Sequence, residues 1–213
     1  MFEKILFEAA AGRFPTPDGS VTVVPQPSDR EAGILSLTAH AVVFCDEDPA
    51  WIRRIIAEAP IDPFAAPLSP YVQIALAERT GRNLGNIDML TVADRLPGAP
   101  ALPLTEITDR EHPRVVRALK YRDDVRAWTA DGGVLALGRG VAGRWEAAIE
   151  VEPDARHAGL GRALALAARH LVPTGDVVWA QQAPGNARSV RAFRSAGYRP
   201  IGAEVLLVRH SLV

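Results

Sequence analysis

From residue 103 onward the apolar positions switch between a period of two and a period of 3.6, the alternation of strands with helices. Residues 103–108 predict a strand, and Asp109 stands where a cap would precede a helix carrying Val115, Val116, Ala118 and Leu119. Apolar runs at 125–130 and 134–138 flank Asp131-Gly132-Gly133, which predicts a hairpin. A strand at 144–151 follows. Leu160, Ala163, Leu164, Ala167 and Leu171 then recur on one helical face. The β-type run 177–181 is expected to return parallel to the strand before that helix, a crossover that puts a ligand at the carboxyl edge. Beyond Asn186, Arg188, Arg191 and Arg194 form one helical stripe and Val190 and Phe193 another, with Gly197 as the stop. Residues 200–202 and 204–209 predict two closing strands.

Before residue 100 the pattern is shorter-ranged. Runs at 21–24, 33–37 and 41–45 predict strands, and 86–92 another. Helices are announced by Asp48-Pro49 ahead of Trp51, Ile52, Ile55 and Ile56, and by Ser69-Pro70 ahead of Val72, Ile74, Ala75 and Leu76. The Pro/Gly-rich stretch 96–103 predicts a linker, dividing the chain into 1–100 and 101–213.

At 48% hydrophobic content, 213 residues suffice for a core without staples. A net charge of −1 argues against nucleic acid or a membrane surface as a general electrostatic partner. No apolar run is long enough for a membrane span, and Glu3 and Glu8 stand where a signal peptide carries only bases, so a cytoplasmic protein is expected. Cys45, the single cysteine, lies in an apolar run and reads as a small buried hydrophobe. The five histidines lack ligand spacing, so no metal site is expected.

Most of the chemistry is concentrated where the strand at 144–151 becomes a helix. Gly159 and Gly161, in Arg156-His157-Ala158-Gly159-Leu160-Gly161-Arg162, let backbone N–H groups approach an anion closely at a helix N-terminus, and Arg156, His157 and Arg162 add charge. The arrangement suits a pyrophosphate.

Taken with the later helix, this segment resembles the GNAT superfamily of N-acetyltransferases. The family's acetyl-CoA loop, V-x-P-x-x-[QR]-x-x-G-x-[GA], is matched by Val151, Pro153, Arg156, Gly159 and Gly161. Its later helix, N-x-x-[AS]-x-x-x-Y-x-x-x-G-[FY], is matched by Asn186, Ser189, Gly197 and Tyr198, with Phe193 at the tyrosine position. The resemblance implies an α/β fold: a mixed, mostly antiparallel sheet with flanking helices and a splayed parallel strand pair at the acetyl-CoA site. It leaves residues 1–100 as an α/β region without a cofactor motif, a degenerate GNAT-like half or an unrelated cap, with a role in walling the acceptor site.

The implied reaction is acetyl transfer from acetyl-CoA to the amine of a small-molecule acceptor by direct attack on the thioester. A CoA-binding protein without turnover and a transferase for protein or aminoacyl acceptors are the alternatives, and the oligomeric state stays open, a homodimer included. The resemblance assigns the backbone from His157 to Arg162 to the pyrophosphate, Ile149 and Val151 to the pantetheine and the thioester carbonyl, and Asn186 and Ser189 to the CoA arm. For the base, alternation along 145–151 places Glu146 and Glu150 on one face, Glu146 being the first choice. Phe193 removes the family's usual thiolate-protonating phenol, leaving that proton to solvent or the departing ammonium, and Tyr198 holds the family's core aromatic position.

Overall fold

The computed structural model describes residues 1–156 and 158–209. It divides into two compact units, Met1–Met89 with Ile201–Val213, and Leu90–Pro200. These bounds differ from a division at residue 100: residues 90–100 fall in the second unit, and residues 201–209 fall in the first.

In the first unit, α1 (Phe2–Ala10) is followed by β1 (Val21–Val24), β2 (Glu31–Leu37), β3 (His40–Phe44), α2 (Pro49–Ala57), α3 (Pro70–Thr80) and the start of β4 (Asn83–Asp94). The strand order is β1-β3-β2-β10, where β10 is Arg199–Val208. Asp48 and Ser69 cap α2 and α3, their side chains accepting from the N–H groups of Ala50 and Val72, with Pro49 and Pro70 in the first turns. Ile52, Ile55, Val72 and Leu76 of these helices pack on Ala32, Ile34, Val43 and Val205 of the sheet. Phe2 of α1 stacks on Phe44, ring centroids 4.8 Å apart.

Two expectations change here. Helix α1 lies outside the elements that the sequence pattern predicts, although Phe2, Leu6, Ala9 and Ala10 form a buried face at helical spacing. The two closing strands are one, β10. Gly202 within it is a point of close approach: a Cβ there would lie 2.1 Å from the Ser36 carbonyl oxygen.

The second unit takes the end of β4, then β5 (Thr105–Glu106), α4 (Pro113–Tyr121), β6 (Asp123–Ala130), β7 (Gly133–Arg139), β8 (Trp145–Val151), α5 (Leu160–Leu171), β9 (Val177–Gln182) and α6 (Ala187–Ser195). Its strand order is β4-β9-β8-β7-β6-β5. Alternation sorts the side chains: Trp128, Leu135, Leu137 and Ala147 join Leu164, Ala168 and Phe193 in the main core, whereas Ala127 and Ala136 pack with Val115 and Ala118 of α4. The sheet therefore lies between α5 with α6 and α4. Buried Thr91 donates to the Ala180 carbonyl (3.1 Å) and accepts from the Gln182 amide (3.1 Å). Among the described residues no helix is long and apolar enough to cross a membrane.

Candidate functional site

The site begins where β8 loses one neighbour. Against β7 it pairs along its whole length, Gly133↔Val151 to Arg139↔Trp145. Against β9 it is parallel and bridged at Glu146↔Trp179 alone. The Glu152 N–H donates to the Gly132 carbonyl (2.8 Å). Backbone groups alternate between the two edges of a strand, so the N–H groups of Ile149 and Val151 face the opposite edge, beyond the last bridge to β9. A gap bordered by free strand edge is the result.

The loop after β8 turns the chain toward this gap. A 3-10 turn, Pro153–Ala155, leads to Gly159, whose φ of +83° is left-handed backbone that glycine adopts without strain. Gly159 is the N-cap of α5 and supplies no side chain, so the N–H groups of Leu160, Gly161 and Arg162 are left to an external acceptor at the positive helix end. A Cβ on Gly161 would meet Ala192, Val151 and Ile149 at 3.6–4.0 Å, ordinary contact distances. Packing therefore does not demand a glycine there. Arg156 donates Nε–H to the Val151 carbonyl (3.4 Å) and Arg162 to that of Ser195 (3.1 Å). Across the gap, Asn186 caps α6 by accepting from the Ser189 N–H (3.1 Å).

These elements enclose a cleft of about 1140 Å³ that brings together Ile149, Glu150, Val151, Arg156, Gly159, Leu160, Gly161, Arg162, Asn186 and Ser189. Ala158 is exposed and lies off the cleft wall. His157 lies outside the described residues. The wall also includes Ala155, Arg188, Arg191 and Arg194, so the arginine stripe legible along α6 faces the cleft.

Glu146, the first choice for a base, is placed elsewhere. It is 4% exposed and off the cleft wall. Its carboxylate accepts from Arg144 Nε (2.8 Å), Arg122 Nε (3.0 Å) and the Val141 N–H (3.3 Å). Burial pushes this carboxyl up, but the two guanidiniums and these hydrogen bonds outweigh it and hold the group below the usual carboxylate range. A carboxylate so engaged is a poor proton acceptor. Glu150 is half-exposed, pairs with Arg114 of α4 and is the single carboxylate among the described lining residues.

Neither aromatic of the second motif reaches the cleft. Phe193 is 2% exposed and meets Tyr198 edge-on (4.9 Å, 87°). The Tyr198 hydroxyl donates to the Ala165 carbonyl (3.2 Å), and burial raises its pKa well above the usual phenol range. Tyr198 is a core residue.

No protein-family model and no curated protein matches the sequence. Among solved structures, the chain is similar to a protein assigned to the GNAT acetyltransferase family from Novosphingobium aromaticivorans (16% identity, 61% of this chain and 67% of that chain, TM-score 0.45). It is also similar to an acetyltransferase from the GNAT family of Colwellia psychrerythraea (8% identity, 79% and 76%, TM-score 0.46). A third likeness is to a GCN5-related N-acetyltransferase from Kribbella flavida (18% identity, 98% and 94%, TM-score 0.42). At these values the likeness is one of outline and carries no argument. The second unit's mixed sheet, its splayed parallel pair β8 and β9 and its glycine loop are the features that the resemblance of the motifs implies.

Proposed function

We propose that the protein is an acetyl-CoA-dependent N-acyltransferase that moves an acetyl group to the amine of a small-molecule acceptor. The observation that carries this reading is the gap between β8 and β9 opening onto the uncapped N-terminus of α5, with residues of both motifs lining one cleft. The N–H groups of Leu160, Gly161 and Arg162 hold the pyrophosphate, and the edge of β8 at Ile149 and Val151 pairs with the pantetheine and directs an N–H at the thioester carbonyl. The acceptor's neutral amine attacks that carbonyl, the C–S bond breaks, and the amine's proton passes to Glu150, directly or through water. The thiolate takes its proton from solvent, or from Glu150 once that carboxyl holds the amine's proton.

The burial of Phe193 and the double ion pair of Glu146 favour a second reading, a CoA-binding protein without turnover, because they leave Glu150 alone to handle protons. Calorimetry with CoA, followed by thiol release from acetyl-CoA across an amine panel, separates the two. Binding with turnover supports the enzyme, binding without turnover the second reading, and no binding refutes both.

A further inference from the structure

A second cavity lies wholly within the first unit, and its wall carries hydroxyl, imidazole and carboxylate groups in one connected cluster. Its volume is about 510 Å³, and Lys4, Ile5, Phe14, Asp18, Thr22 and His40 are part of its lining. That size suits a small molecule. Strand geometry assembles the polar wall. β1 and β3 run parallel, with Val21 opposite Ala41, and Val21 and Val23 pack against the core that α2 and α3 share with the sheet. Alternation therefore turns Ser20 and Thr22 to the other face, beside His40. Ala39, just before His40, holds a left-handed φ of +48°, which a residue with a Cβ seldom adopts, and its carbonyl accepts from the Gly19 N–H (2.8 Å).

The protons of this cluster run in one direction. Asp18 accepts from the Ser20 hydroxyl and from the Ser20 N–H (2.9 Å), which hold its carboxyl below the usual carboxylate range. An ionised carboxylate only accepts, so the Ser20 hydroxyl spends its proton there and meets Nδ1 of His40 (3.1 Å) as an acceptor. Asp18 itself lies 3.7 Å from Nδ1. Both neighbours of Nδ1 thus call for a proton on it, which leaves Nε2 of the neutral ring bare. Nε2 faces the Thr22 hydroxyl at 2.9 Å. With its side chain 9% exposed, the ring is fixed by its surroundings. A hydroxyl donating to a bare imidazole nitrogen, with the other nitrogen oriented through an acid, is the arrangement of an activated nucleophile.

From this arrangement we infer a hydrolytic site in the first unit, in which Thr22 is the nucleophile and His40 the general base for cleaving a small ester. Thr22 Oγ1 bonds to the ester carbonyl carbon while its proton passes to His40 Nε2. The C–O bond to the leaving oxygen then breaks, and that oxygen takes the proton. Water attacks the acyl-Thr22 ester, giving a proton to Nε2, and the carboxylic acid departs as the Thr22 oxygen regains that proton. Asp18 and Ser20 position the ring, and Lys4 on the same wall supplies a cation to the negative charge that develops on the carbonyl oxygen. The site is independent of the CoA reading, which concerns the second unit.

The test uses the full chain and 4-nitrophenyl acetate. The parent should release nitrophenolate with saturation, and peptide mass spectrometry of the quenched mixture should find the acetyl group on Thr22. Thr22→Val and His40→Gln should slow release by about a hundredfold or more, and Thr22→Ser should keep it. Nitrogen-15 NMR of the imidazole should show His40 as the Nδ1–H tautomer in the parent and as a mixture of tautomers in Asp18→Asn, a change that a purely structural role for Asp18 would not bring. Release no faster than in buffer, acetyl groups on lysines alone, or unaltered release by Thr22→Val overturns the site. An Nε2–H tautomer in the parent overturns it as well. Should a variant fail to fold, acetyl-Thr22 and the His40 tautomer, both read on the parent, decide the matter.

Discussion

Replacing Glu146 by glutamine separates a structural lock from a catalytic base. In the native protein the Glu146 carboxylate lies between Arg144, whose side chain is 3% exposed, and Arg122, at 13%. Gly140 makes room for it, since a Cβ there would lie 2.3 Å from the carboxyl carbon. Removing one partner of a buried ion pair costs about 3–5 kcal/mol, because the remaining charge stays desolvated. Glutamine keeps an acceptor oxygen for one arginine, which puts the expected loss near the lower end, about 3 kcal/mol. For a chain of this size that lowers Tm by roughly 6–12 °C. The folded-state carboxyl sits below its ordinary 4.5, so the lock is fully in force above about pH 4.5 and weakens as pH falls through the lower folded value. Thermal melts of parent and Glu146→Gln should therefore differ near neutral pH and converge in acid. A variant that melts with the parent but has lost turnover would refute the lock and return the proton-accepting role to Glu146.

Glu150→Gln should lower kcat/KM by about a hundredfold with CoA affinity nearly unchanged, measured by thiol release and calorimetry; an unaltered rate removes Glu150 from proton transfer. Gly161→Ala should leave Tm unchanged, because the new methyl meets only ordinary contacts, yet weaken CoA binding by about tenfold or more as it enters the phosphate's space. Phe193→Tyr should bring no gain in rate and should destabilise by about 1–3 kcal/mol, since its hydroxyl enters the core beside Tyr198; a faster enzyme would show that position 193 does face the thioester. Burial, aided by Glu204, raises the Asp88 carboxyl to about 6. That penalty is absent below the ordinary 3.8 and complete once pH has risen past about 6, so Asp88→Asn should melt above the parent in mild alkali and level with it in acid.

What could be read from the chain was local. Asp48, Ser69 and Asn186 cap helices through N–H groups two or three residues away, so residue type and spacing suffice to find them. The glycine loop is likewise contiguous: Gly159 and Gly161 at a strand-to-helix junction mark it within a few residues. Alternation along β8 likewise placed Glu146 and Glu150 on one face. Which of the two meets the cleft was not decided along the strand. Arg122, 24 residues earlier in sequence, and Gly140 across the hairpin draw Glu146 into a buried pair, whereas Arg114 holds Glu150 at the cleft. The same holds for Phe193, legible as a departure from the tyrosine of its motif but consigned to the core only by packing with Tyr198 and Leu164. The sequence pattern divides β10 into two runs, 200–202 and 204–209, whereas pairing with β2 carries it through as one strand, with Gly202 against the Ser36 carbonyl, 166 residues away in sequence. Caps, turns and phosphate loops are built from interactions within a few residues and leave their mark on the sequence. Ion pairs, burial and strand contacts join residues whose separation the sequence does not encode locally, and there only the folded chain decides.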